Sequence, residues 1–156
     1  MDTHPPEVAV QIATEAPHPD PGDLRRWAEA ALEGRTAEVS LRLVDEAEIT
    51  DLNTRYRHKS GPTNVLSFPF EAPAGVDLDF LGDVVICAPV VNREAACQGK
   101  PPPAHWAHMV VHGVLHLRGF DHIDPDEAEV MEACERRILA RLGFPDPYQP
   151  KEPMSS

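Results

Sequence analysis

The stretch AHWAHMVVHGVLHL, residues 104–117, constrains this chain more than any other. Its spacing predicts a helix that is apolar almost all round, through Trp106, Met109, Val110, Val111, Val114, Leu115 and Leu117. A helix of that kind is buried, so the rest of the domain must be laid around it. Yet it carries histidines at 105, 108, 112 and 116. Burying an imidazole without a partner costs on the order of 1–3 kcal/mol, so the fold must also supply whatever satisfies these rings.

His112 and His116 are four residues apart, which stacks both rings on one helix face, about 6 Å apart along the axis. A helix continuing to His122 would turn that third ring away. Gly119 ends the helix instead, because glycine enters left-handed backbone angles cheaply, and the chain can double back to bring His122 to the first two. Three imidazoles with a fourth position left to water form the usual ligand set of one catalytic Zn2+ ion. A structural zinc is closed by four side chains and is rich in cysteine. Cys87, Cys97 and Cys134 form no CxxC pair, and none adjoins the cluster. His105 and His108 extend the stripe and read as supporting or partly exposed residues rather than ligands.

The histidines and the glycine match the peptidase pattern H-E-x-x-H-x-x-G-x-x-H, but Gly113 stands where those enzymes place their glutamate base. The metal scaffold is present without that base, which leaves metal-assisted hydrolysis of another substrate. Zinc lowers the pKa of bound water to about 7 unaided, and it also polarises phosphoryl oxygens. Phosphodiester cleavage then requires a cation to hold the developing charge. Residues 52–70, LNTRYRHKSGPTNVLSFPF, hold Arg55, Arg57 and Lys59 and no carboxylate. This basic island stands out in a chain with 14 Lys+Arg against 26 Asp+Glu and a net charge of −12. Arg57 and Lys59 are the candidates to bind a phosphate, arginine being always charged and matched to it in shape. The overall negative field argues against coating nucleic acid through bulk charge and leaves room for one local grip.

Around the buried helix, alternating apolar residues predict strands in EVAVQIA (7–13), AEVSLRLVD (37–45) and NVLSFPF (64–70), the last an edge strand because of its proline. FLGDVVICA (80–88) is nearly continuously apolar after Asp83 and reads as a central strand. Helical patterns run through LRRWAEAALEG with Asp23 as its cap, DEAEITDLNTRYR, PVVNREAACQ and DPDEAEVMEACERRILARLG. In the last of these, Asp124 is the cap and Val130, Met131, Cys134, Ile138 and Leu142 form the inner stripe. Its carboxylates Asp126, Glu127, Glu129, Glu132 and Glu135 read as a solvated face. The expected fold is α+β: one compact domain, a small mixed sheet of about four strands packed with about five helices, and a metal site at the end of the buried helix. That domain is expected over residues 1–144, with the proline-rich residues 145–156 as a flexible tail. No apolar window approaches the ~20 residues of a membrane span. The opening MDTHPPEVAVQ lacks the basic-then-apolar pattern of a signal peptide, so the expected compartment is the cytoplasm.

HGVLHLRGFDH, residues 112–122, resembles the signature H-G-x-L-H-L-x-G-Y-D-H of the YbeY family of bacterial endoribonucleases. LNTRYRHKSGPTNVLSFPF resembles that family's block L-N-x-x-Y-R-x-K-x-x-T-N-V-L-S-F-P, and LGDVVICAPVV resembles its L-G-D-I-x-I strand, in the family's order. The likeness covers residues 8–143. Phe120 replaces the usual tyrosine and Ser60 a common acidic residue, and neither is a proposed ligand. The resemblance implies a single-strand-specific, metal-dependent endoribonuclease acting in 3′-end maturation of small-subunit (16S) ribosomal RNA and in ribosome quality control. It implies zinc on His112, His116 and His122, with His112 also in the catalytic set. It implies a functional Arg57, a further polar position at Lys59, and Asp83 as a group orienting a ligand histidine or merely capping a strand. The implied partners are single-stranded RNA and the small ribosomal subunit, with ribosomal proteins or assembly GTPases as candidate protein contacts and no membrane. Two other readings stand beside this one. One is a zinc-dependent hydrolase of another substrate such as a peptide, and the other is a non-catalytic assembly factor whose zinc is structural.

Overall fold

The computed structural model describes residues 7–70, 80–121 and 123–148. In chain order the elements are β1 (Glu7–Ile12), α1 (Pro21–Leu32), β2 (Glu38–Val44), α2 (Glu46–Arg57), β3 (Val65–Pro69), β4 (Phe80–Cys87), α3 (Ala88–Gln98), α4 (Pro102–Leu117) and α5 (Pro125–Leu142). The sheet runs β1-β2-β4-β3. β1 pairs parallel with β2 and β2 parallel with β4, while β3 runs antiparallel to β4. The result is an α+β domain with a mixed four-stranded sheet and five helices.

Period-two alternation divides β4 between two cores. Val84 and Ile86 face the larger one, which includes Leu41, Trp106, Val110, Val114 and Leu115. Val85 and Cys87 face a smaller one, with Val44, Ile49 and Leu66. The buried helix α4 lies on the larger side and packs against α1, α3, α5, β3 and β4. Its side-chain choice follows from that position: Trp106, Val110, Val111, Val114 and Leu115 are all fully or almost fully buried.

At Gly113 α4 lies close against the sheet. A Cβ there would sit 2.5 Å from Val84 Cγ1 and 3.3 Å from Val65 Cγ2. The Ser67 hydroxyl donates to the Gly113 carbonyl at 2.9 Å and fastens β3 to the helix at the same point.

The end of α4 is tied down by α1. Glu33 ends α1 in a left-handed conformation (φ 50°), which a residue with a Cβ adopts reluctantly. Its carboxylate accepts hydrogen bonds from Arg118 and Arg137, both at 3.0 Å. Those contacts link three helices and hold the residue just beyond α4.

Four local expectations change. Helix α1 begins at Pro21 with Asp20 as its flanking residue, so Asp23 lies in the first turn. Proline preset for helical φ moved the start forward. Val130 is exposed rather than inside, and Leu139 takes a buried place. Glu135, expected on the solvated face, is 0% exposed. The expected tail begins with residues that grip the helices. Asp146 accepts from Arg136 at 3.0 Å, the Pro147 carbonyl accepts from Lys100 at 3.3 Å, and Tyr148 reaches Glu135. Residues 149–156 lie outside the described part of the chain.

Candidate metal centre

The cleft-side face of α4 presents His112 and His116, both part-buried on an otherwise buried helix. Their rings stand edge to face with centroids 4.6 Å apart, and their Nε2 atoms approach to 3.2 Å. A tetrahedral ion about 2.0–2.1 Å from each nitrogen would separate the pair by about 3.3 Å. The two nitrogens are therefore already at the spacing a shared zinc requires.

Behind His112 lies a buried carboxylate. His112 Nδ1 is 3.0 Å from Glu135 Oε2, and His108 Nε2 is 3.0 Å from the same oxygen. The Tyr148 hydroxyl donates to the other oxygen, Oε1, at 2.6 Å. Tyr148 also lies 3.2 Å from His108 Nε2, with its ring edge-on to the imidazole at 5.3 Å. Burial pushes the Glu135 pKa up, but hydrogen bonds from His108 and His112 and their charge outweigh it and bring the pKa down to about 2. Burial, with the carboxylate adding to it, pushes the Tyr148 phenol far above its usual value.

Among the described residues, one ligand atom from each of His108, His112 and Glu135 lies within 4.8 Å of the others, so this group too could hold a metal ion. His112 belongs to both arrangements, through Nδ1 on the buried side and Nε2 on the cleft side. His122 lies outside the described residues. Its neighbours Asp121 and Ile123 both line the cleft that His112 and His116 face.

That cleft measures about 560 Å³. Arg57 and Lys59 line the same cleft. Arg57 is the last residue of α2, and His58 then turns the chain with φ 55°. The loop that follows is fastened to its own helix. Asn53, buried in α2, donates to the Gly61 carbonyl at 3.0 Å, and the Lys59 amide donates to the Asn53 carbonyl at 3.3 Å. A second polar chain reaches the same wall from below: Asn64 donates to Glu94 at 3.1 Å, and Glu94 pairs with the buried His105 at 2.9 Å.

Asp83 is not brought to this centre. It is exposed on β4, beside Arg42 and Tyr56 on the face away from α4. Val84, its neighbour, faces α4, and alternation sends Asp83 to the other side. It therefore orients neither histidine of the cleft. Glu135 and His108 were the residues the sequence reading undervalued. The available signal was positional: Glu135 shares the 131, 134, 135, 138 spacing of an inward stripe, so a charge there had to be buried.

Comparison with known proteins shows the family. A family model described as Endoribonuclease YbeY matches residues 11–143. A protein of Methylococcus capsulatus named Endoribonuclease YbeY is 58% identical over 147 residues, covering 94% of this chain and 98% of that protein. One of the same name from Pseudomonas entomophila is 58% identical over 149 residues, covering 94% and 95%. The solution structure of a Thermotoga maritima protein superposes with a TM-score of 0.54 at 24% identity, covering 90% of this chain and 99% of that one. At that identity the last likeness concerns the fold alone.

Proposed function

The chain belongs to the endoribonuclease YbeY family, and from that membership and its cleft we propose that it cuts single-stranded RNA with one zinc ion held by His112, His116 and His122. The substrate in this reading is small-subunit ribosomal RNA near its 3′ end, cut during maturation and quality control in the cytoplasm. Among the described residues no helix is long and apolar enough to cross a membrane.

One observation carries the proposal: the paired Nε2 atoms of His112 and His116 share a cleft with Arg57 and Lys59. Ligand donors on one wall and phosphate-binding cations on the other suit a phosphodiester. Bound zinc would supply a Lewis acid for a phosphoryl oxygen and acidify water. The protein's own part is to position and neutralise. The Arg57 guanidinium offers a planar fork of N–H donors to the non-bridging oxygens, and the Lys59 ammonium adds a point charge beside it. Donors aimed where negative charge develops lower the barrier most. The loop bonds from Asn53 keep both cations facing the cleft at little entropic cost. A chain of net charge −12 gains little from general attraction to RNA, so the ribosomal subunit itself supplies the rest of the recognition.

The peptidase reading is not favoured. Position 113 faces Val84 and Val65 of the sheet rather than the cleft, so no general base can be presented from it.

The test is cleavage of a single-stranded RNA spanning a small-subunit rRNA 3′ end. Zinc-loaded protein, metal-stripped protein and a His116→Ala variant are run side by side. Cleavage by the loaded wild type alone is expected. Equal cleavage in all three would reveal a contaminating nuclease and remove the proposal's support. Zinc uptake without any cleavage, even on isolated small subunits, would favour a structural ion.

A further inference from the structure

Three donors from two separate parts of the chain converge on one carboxylate from a third, which is closed to solvent. Glu135 comes from α5, His108 and His112 from α4, and Tyr148 from the segment beyond α5. An ionised carboxylate accepts at both oxygens and donates nothing, so it satisfies all three at once. The consequence for His112 is specific. A neutral imidazole has one N–H and one lone pair, and whichever nitrogen meets an acceptor must carry the hydrogen. Glu135 meets Nδ1 at 3.0 Å. The lone pair is thereby assigned to Nε2, the atom that stands 3.2 Å from His116 Nε2.

We propose that Glu135 is the positioning residue of the metal centre, fixing the tautomer and ring direction of His112, and that Tyr148 holds Glu135 in place by taking its second oxygen. The inference rests on reading His112 as a ligand. It assigns Glu135 to the support of the ion rather than to direct ligation. Ligand histidines elsewhere use a carboxylate on the remote nitrogen for the same end, and its loss costs about 10–100-fold in metal affinity. It also makes the segment after the last helix part of the centre. Tyr148 lies six residues past the end of α5, and its hydroxyl brings to this network a contact from outside α4 and α5.

The experiment compares the full chain with Glu135→Gln and Tyr148→Phe. A glutamine fits the space but is uncharged and has one acceptor oxygen, so it weakens the bond to His112 Nδ1–H and can also turn its NH2 towards the histidines, where it would favour the other tautomer. Two readouts are taken. In metal-stripped, nitrogen-15-labelled protein at pH 8, the imidazole nitrogen signals report which nitrogen of His112 carries the hydrogen. Zinc affinity is then measured by competition with a chromogenic chelator. The wild type is expected to show the Nδ1–H form. Glu135→Gln is expected to show a mixture and to bind zinc about 10–100-fold more weakly, with circular dichroism unchanged. Tyr148→Phe is expected to lose about fivefold. Equal affinity and an unchanged tautomer in Glu135→Gln overturn the proposal while leaving the metal site standing. If that variant does not fold, Tyr148→Phe decides, and wild-type behaviour there overturns the proposal. A wild type that takes up no zinc overturns both the metal reading and this one.

Discussion

His112 and His116 reach the cleft from a helix packed against five other elements, whereas Arg57 and Lys59 reach it from the exposed end of α2 and the loop beyond. The two walls meet one ligand-sized space with opposite mechanics. On the α4 wall Glu135 stands 3.0 Å behind His112, His108 contacts the same oxygen at 3.0 Å, and that carboxylate is closed to solvent. On the α2 wall the backbone is fastened through Asn53 while the cationic side chains stand in solvent. Metal coordination tolerates errors of tenths of an ångström, so its donors belong on a rigid element. A flexible polyanion arrives in many poses, and long exposed cations follow it at small cost.

If the walls are independent, Arg57→Ala should lower single-turnover RNA cleavage by about 100–1,000-fold with zinc affinity and melting temperature unchanged. A parallel fall in zinc affinity would show that the two walls are mechanically one.

Acid should attack the α4 wall and spare the other. The Glu135 pKa is about 2, below its ordinary value of 4.5. A depressed carboxyl contributes stability that is fully present above pH 4.5 and is lost as pH falls towards 2. Burial also lowers the His105 pKa below 6.5, so its contribution is lost in the same direction, as pH falls below 6.5. Urea midpoints of metal-free protein should therefore drop from pH 7 to pH 3, and Glu135→Gln should flatten the part of the profile below pH 4.5.

Gly113→Ala probes the rigidity itself. Its Cβ would press on Val84, which is 0% exposed and cannot swing away. Thermal unfolding should show a loss of about 1–3 kcal/mol. The smallest effect is expected at Asp83→Ala, on the far face of the sheet. Stability should change by less than about 0.5 kcal/mol, and zinc affinity not at all. A clear loss of zinc there would mean that the sheet transmits what the contacts do not show.

The same contrast governs what was legible in the sequence. Strands β1, β2 and β3 and the buried helix α4 follow from periodicity, because one buried face imposes a repeat on the residues that line it. Arg57 and Lys59 are legible because a carboxylate-free stretch is conspicuous in an acidic chain. Glu135 and Tyr148 were hidden for the converse reason. Each is one polar residue satisfying another across a tertiary contact, between helices or from beyond the last one, and no local pattern records such a pair. Asp83 shows a different limit. Its strand is legible from the apolar run, and the face it points to follows only once Val84 is known to touch α4. The order β1-β2-β4-β3, with β4 inserted between β2 and β3, is likewise a property of assembled packing.

The close approach at Gly113 also bears on the routes open to this chain over many generations. A glutamate at 113 would complete a hydrolytic peptidase motif on paper. Here the space beside that Cα is already filled by Val84 and Val65, and Ser67 bonds the adjoining carbonyl. The exchange would have to be accompanied by a retreat of the sheet, with several coordinated replacements in β3 and β4. Two motifs that look one letter apart are thus separated by a rearranged interior, and a single exchange at 113 would not turn one into the other in this fold.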